Sequence, residues 1–476
     1  MRLSFLFLFL TILSWANDYE SWLKKEQQQF ASYKETHDEA FSLAIKKEWE
    51  AFEAKYILNP YETPKPVELP RLEEESKLDI RLLEDSPLVN VKISPPNIEK
   101  TSPKTPLPLV KKENRSLKTL NMDFYSHKIS VSYNPHIGFL LTSVSKEAIA
   151  NFWERFSKVD HQHLITQIES LVEHYGLNDW ATYLLVHKMG MHIYGLDNMA
   201  NLFTWYVLTQ MNYDVKIGYS KQTIYLLAHM QHELFQVSFL NLQGNKYYVL
   251  HPKGTIRTLE PIYTYNAQHK KAQMALSFEF KKPLLFNTHY ANKALHFKYD
   301  NQVHTIESQY STDLVEFYKT FPQSDYSIYF NANNSSFLHQ SLLLSLKPLL
   351  ENQSEVEAVN MLLRFVQTAF AYQTDKEQFN YEKVFFPEET LFYPYSDCED
   401  RTILFAFLVK HLLNLNVIAL RYQDHMAAAV EFSTQPKLDG FVHKNRSYTF
   451  ADPTYVNANI GMRMPKYQHQ RFEIIE

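Results

Sequence analysis

Three observations predict an α+β fold for this chain of 476 residues. Apolar residues recur at helical spacing, as with Val359, Leu363, Val366 and Phe370 behind a Ser354-x-x-Glu357 capping box. Other stretches alternate with a period of two, such as Leu276, Phe278 and Phe280, or Leu295, Phe297 and Tyr299. Near the C-terminus, a helical run from Cys398 through Leu404, Phe407, Leu408 and Leu412 leads into two strands that carry His425 and Asp452.

The elements follow in order. Met1-Arg2, an apolar run from Leu3 to Leu13 and the small residues of Ser14-Trp15-Ala16 predict a signal peptide over 1–16. The run is shorter than the roughly 20 residues a membrane helix needs. A periplasmic or secreted chain maturing near Asn17 is therefore expected, with no cysteine there to carry a lipid. Over 17–58, Phe30, Tyr33, Phe41, Ile45, Trp49 and Phe52 predict one amphipathic helix. Its polar face mixes both charge signs, which suits docking on the body or on an envelope protein partner better than a membrane surface. Ten of the 21 prolines fall within 59–117, and that density predicts an extended, mostly disordered linker. Residues 118–260 open with strand alternation at Ile129, Val131 and Tyr133 and continue into helical runs, Glu147 to Phe156 and His163 to Tyr175. A strand-rich connecting domain is expected over 261–350, and a last domain over 351–476.

Composition removes several function classes. A net charge of −5 provides no basic field for nucleic acid. A single cysteine rules out an intramolecular disulfide. His-Glu-x-x-His, Gly-x-Ser-x-Gly, Walker and dinucleotide signatures are all missing. His161/His163 and His229/His232 have ligand-like spacing, but with 20 histidines in the chain they read as solvated or core residues.

The chain also repeats itself. A helical run ending in Asn212-Tyr213-Asp214-Val215 parallels one ending in Asn414-Leu415-Asn416-Val417, a shift of 202. Tyr247 to Pro252 parallels Tyr448 to Pro453, a shift of 201. In the first copy the cysteine position falls near Leu196 to Asn198 and the histidine position near Thr223 to Tyr225. His251 replaces the aspartate. Residues 118–260 are thus expected to be a degenerate copy of the last domain, or else a chance likeness between two helix-strand-strand units.

Chemistry concentrates around the cysteine. Ser396 and Glu399 predict a capping box that places Cys398 in the first helical turn, where the helix dipole favours a thiolate. His425 starts a strand whose Ala427, Ala428 and Ala429 let a helix approach closely. Asp452 ends the next strand, at the same interval of 27 residues (425 − 398 and 452 − 425). A thiol, an imidazole and a carboxylate make a nucleophile, its base and an orienter. Asp397, Glu399 and Asp400 surround the thiol with negative charge. They are either favourable first-turn acids or ligands for a hard cation such as calcium. Gln367, Tyr393 and Tyr395 are nearby candidates for a second oxyanion donor.

These residues resemble the transglutaminase-like superfamily, papain-like in architecture. The resemblance runs through Phe365-Val366-Gln367, Tyr372, Asp375 and Phe386-Pro387-Glu388-Glu389-Thr390-Leu391. It continues through Asp397-Cys398-Glu399-Asp400, His425-Met426-Ala427 and Asp452-Pro453. It covers about the last quarter of the chain, with Ser396 standing where many relatives have glycine. It implies a papain-like catalytic domain over 351–476 with Cys398, His425 and Asp452 as its triad. The acidic stretch is similar to that of bacterial transglutaminase-like cysteine proteases, which implies calcium at Asp397 and Glu399. The expected activity is hydrolysis of a protein or peptide amide with no required cofactor. Transglutaminase crosslinking and a non-catalytic envelope scaffold are the alternatives.

Overall fold

The computed structural model describes residues 25, 37–58, 66, 68–77, 79–93, 117–254, 260–286, 289–332 and 336–476. The signal peptide expected over 1–16 lies outside them. No helix among the described residues is long and apolar enough to cross a membrane. Among the described residues the chain is mixed α and β, with two main antiparallel sheets of seven and five strands, each packed against a helix.

The smaller sheet runs in the order Gly440–His443, Arg446–Ala451, Met426–Glu431, Asn416–Arg421, Glu473–Ile475. The helix Cys398–Leu413 lies on it, entered at Asp397 and closed by Asn414 in the left-handed conformation. Ala428 is fully buried on the face that packs with Leu404, Phe405 and Leu408 of the helix, and its lack of bulk permits the close approach, whereas Ala429 faces the core on the other side of the sheet. The helix straddles two cores. Cys398 and Ile403 pack with Ala419, Met426 and Phe386, whereas Leu404, Phe405 and Leu408 pack with Leu362 and Phe365 of the helix Glu355–Thr368.

The larger sheet repeats this plan. Its central strands, Ser238–Leu242, Asn245–Leu250, Thr223–His229, Val215–Ser220 and Ile262–Thr264, stand in the same order and arise in the same sequence along the chain. The preceding helix is Asp197–Gln210. Register agrees as well. Leu226 pairs with Leu250, and Ala428 pairs with Ala451, offsets of 202 (428 − 226) and 201 (451 − 250).

Three expectations need correction. The helix expected over 17–58 ends at residue 47, and residues 17–24 and 26–36 lie outside the described set. Glu50–Phe52 and Lys55–Tyr56 instead pair on opposite edges of the larger sheet, where unpaired backbone groups recruit them. The described parts of the expected linker are docked. Val89 N–H donates to the Gln353 carbonyl, Glu355 N–H donates to that of Pro87, and Val91 is buried. Apolar side chains at Leu72, Leu83, Val89 and Val91 supply the packing that proline counting does not register. Finally, 261–350 is not uniformly strand-rich. It holds Ile262–Thr264 and the hairpin Tyr290–Tyr299/Gln302–Ser311, then turns helical from Thr312. Leu276 makes only an isolated bridge to Met230, because Phe278 and its neighbours pack onto Trp180 of the helix Asp179–Tyr194 rather than extend a sheet.

Candidate active site

Cys398 occupies the first helical position and is buried. The cap differs from expectation. Asp397 is the N-cap, and the Asp400 carboxylate accepts the Asp397 N–H at 3.1 Å. Ser396 is drawn away into a short parallel pairing with Tyr372, and its hydroxyl accepts from Arg401 Nε at 3.2 Å. The thiol remains in the first turn either way. Its S–H donates to Oε2 of Glu399 at 3.1 Å.

His425 immediately precedes the strand Met426–Glu431, and its Nε2 donates to Oδ2 of Asp452 at 3.0 Å in a buried pair. Among the described residues, Nδ1 of the same ring is buried and has no hydrogen-bond partner. The other oxygen of Asp452 accepts the N–H groups of Thr454 (3.0 Å) and Tyr455 (3.1 Å), which sets the orientation of the carboxylate. The Thr402 hydroxyl lies 2.7 Å from the Cys398 carbonyl and 3.3 Å from that of Met426. It links the turn that carries the thiol to the strand that follows the imidazole.

Aromatic and cationic groups complete the surroundings. Tyr467 stacks on the His425 ring, with centroids 4.8 Å apart and planes 17° apart, and its hydroxyl donates to Asp424 at 3.1 Å. Burial and the adjacent Asp424 hold this phenol protonated, above its ordinary range. Arg401 is fully buried and donates to Ser396 Oγ and to the carbonyls of Gln367 (3.1 Å) and Phe370 (2.8 Å). Burial pulls its guanidinium down to about 10, so it stays charged at neutral pH beside Asp397 and Asp400.

Four buried carboxylates, Asp375, Glu382, Asp397 and Glu399, bring one oxygen each within 4.8 Å of one another. An all-oxygen donor set of this kind suits a hard divalent cation such as calcium. Asp400, grouped with the cation ligands on sequence grounds, points elsewhere. Its two oxygens accept the N–H groups of Phe385 (2.9 Å) and Asp397. Asp375 and Glu382, not Asp400, belong to the carboxylate cluster. Their separation in sequence from the cysteine hid them, although Asp375 belongs to the residues that carry the resemblance.

Of the candidate oxyanion donors, Gln367 is committed to structure. Its amide donates at 3.0 Å to the carbonyls of both Asp452 and Ala458, holding the loop that follows the aspartate. Tyr393 stacks on Phe385, and Tyr395 is exposed. Thr402 follows from helical spacing, i+4 from the cysteine. Tyr467 had no sequence signal.

In the first unit, Asp197 stands at the cysteine position (398 − 197 = 201) and His251 at the aspartate position (452 − 251 = 201). Burial lowers the affinity of His251 for a proton, and nearby Asp197 raises it. There is no thiol in that unit. No family model, curated protein or solved structure matches the chain.

Proposed function

We propose that this chain is an exported transglutaminase-like cysteine hydrolase, papain-like in its last unit, that cleaves amide bonds of protein or peptide substrates. The observation that carries this reading is the buried His425–Asp452 pair. One imidazole nitrogen is held by a carboxylate, and the other is buried without a hydrogen-bond partner among the described residues, on the residue that precedes the strand packed against the helix beginning at Cys398.

In this mechanism the Cys398 sulfur attacks the amide carbon, and the thiol proton passes to Nδ1 of His425. The tetrahedral intermediate collapses as that proton moves to the departing amine, leaving a thioester. Water, deprotonated by the same nitrogen, cleaves the thioester to a carboxylic acid and the free thiol. Asp452 keeps the ring oriented throughout and stabilises the imidazolium. Asp375, Glu382, Asp397 and Glu399 are the residues that would hold a calcium ion. When bound, the ion would supply positive charge that offsets the acids around the thiol.

Transfer of the acyl group to an amine, giving a crosslink, shares the first half of this sequence. Incubation with unfolded casein and a primary amine, followed by mass spectrometry, separates the readings. New peptide termini that disappear in Cys398→Ala support hydrolysis, whereas amine incorporation supports transfer. Neither product from any variant of the chain leaves the scaffold reading.

A further inference from the structure

We infer that the loop 455–459, just after Asp452, is a binding edge for an extended polypeptide and that residues 66 and 68–77 of the chain itself occupy it. This inference rests on the hydrolase reading for the identity of the site and adds its substrate class and its regulation.

The occupying segment is held by its backbone. Val456 N–H donates to the Pro70 carbonyl at 2.9 Å, and Leu72 N–H donates to the Val456 carbonyl at 3.0 Å, in a parallel bridge centred on Arg71. Ser76 N–H donates to the Asn457 carbonyl at 3.1 Å. Two side-chain amides complete the pairing. Asn457 Nδ2 donates to the Leu72 carbonyl at 2.8 Å, and Asn459 Nδ2 to the Ser76 carbonyl at 2.6 Å. Strand addition of this kind draws its affinity from main-chain groups and reads few side chains. An edge built this way accepts extended chains of many sequences.

The position of the segment gives the pairing its consequence. At one end, the Pro66 carbonyl accepts from the Tyr372 hydroxyl at 2.7 Å, and Tyr372 pairs with Ser396, two residues before Cys398. At the other end the segment lies on Val456 and Asn457, four and five residues after Asp452. It therefore passes from the flank of the cysteine to the flank of the aspartate. Between these ends it forms one wall of a cleft of about 540 Å³. Pro66, Pro70 and Arg71 line it together with Asp424, Tyr455 and Tyr467. Tyr467 is the residue stacked on His425. Cys398 is 1% exposed and His425 4%. On this inference the segment holds the edge beside the buried thiol and imidazole, and an extended substrate pairs with the same edge once the segment leaves.

Two of the segment's own side chains add to this pairing. Glu75 pairs with the buried Arg364 at 3.2 Å while itself remaining one-third exposed, and Leu72 is half-buried against the core below the smaller sheet. The test uses the full chain as wild type, Tyr372→Phe and Leu72→Asp/Glu75→Arg. Hydrogen exchange at the Leu72 and Ser76 amides reports release of the segment, and iodoacetamide reports access to Cys398. Both are expected to rise together across the series, with alkylation about tenfold faster in the double variant as the open population grows. A synthetic peptide of residues 66–77 is expected to reverse the gain. Faster amide exchange with an unchanged alkylation rate would overturn the inference. If the double variant loses its cooperative melt, the milder Tyr372→Phe decides by the same two readouts. Hydrolysis separates this idea from the activity it rests on. An exposed thiol without peptide cleavage sinks the hydrolase and leaves the binding edge intact. Equal cleavage by wild type and released variants does the reverse.

Discussion

At the scale of single residues, the site is defined as much by what surrounds the triad as by the triad. The imidazole of His425 has one nitrogen fixed by Asp452 and one face covered by Tyr467. Excluding water strengthens the histidine–carboxylate bond, because the local dielectric falls. Tyr467 contributes separately through its ring and its hydroxyl, and substitution separates the two. Tyr467→Phe removes only the bond to Asp424 and is expected to cost about 1 kcal/mol of stability. Tyr467→Ala also empties a buried volume and is expected to cost about 3–5 kcal/mol. Urea unfolding monitored by fluorescence measures both. Equal losses would mean that the stack contributes nothing. Neither variant was suggested by the sequence, since Tyr467 follows the last recognisable block and only the folded chain returns it to the histidine.

At the scale of elements, the link between the cysteine helix and the histidine strand is local and inspectable. Thr402 reaches the carbonyls of Cys398 and Met426 with one hydroxyl. Thr402→Val keeps the shape and removes that link. The expected loss is about 1 kcal/mol in stability with a larger fall in Cys398 reactivity, measured by urea unfolding and alkylation of the same sample. A stability loss with unchanged reactivity would assign Thr402 to packing alone. This part of the chain was legible in advance. Of the run Ala427-Ala428-Ala429, Ala428 alone faces the helix, its neighbours lying in the core on the other face of the sheet, and Cys398 falls in the first helical turn as expected, although Asp397 rather than Ser396 caps it. The extra strands over 50–56 were not legible, because Trp49 and Phe52 continue a helical spacing that tertiary pairing overrides. The docked segment 68–77 was hidden for a related reason. Proline content reports an extended backbone but says nothing of the partner it lies on.

At the scale of the whole molecule, the five central strands of the larger sheet repeat the order of the smaller sheet, and only the smaller is preceded by a helix that begins with a thiol. The same scale governs response to acid. Burial pulls His187, His339 and His411 each down to about 4, from an unfolded value of 6.5. The unfolded chain therefore takes up these protons near pH 6.5, whereas the folded chain resists until near pH 4. Stability is expected to fall as pH drops through that window. Urea midpoints at pH 7 and pH 5 check this, and a higher midpoint at pH 5 would contradict it.

If Cys398 and His425 act as a chemical pair, the alkylation rate of Cys398 against pH shows it. A single thiol in the chain makes the signal unambiguous. The measurement is made on the Leu72→Asp/Glu75→Arg chain, with and without calcium, beside the same chain carrying His425→Ala. Reactivity is expected to persist well below the ordinary thiol value of about 8.5 and to be lost with the imidazole. A profile that follows an ordinary thiol and is indifferent to His425→Ala would contradict it.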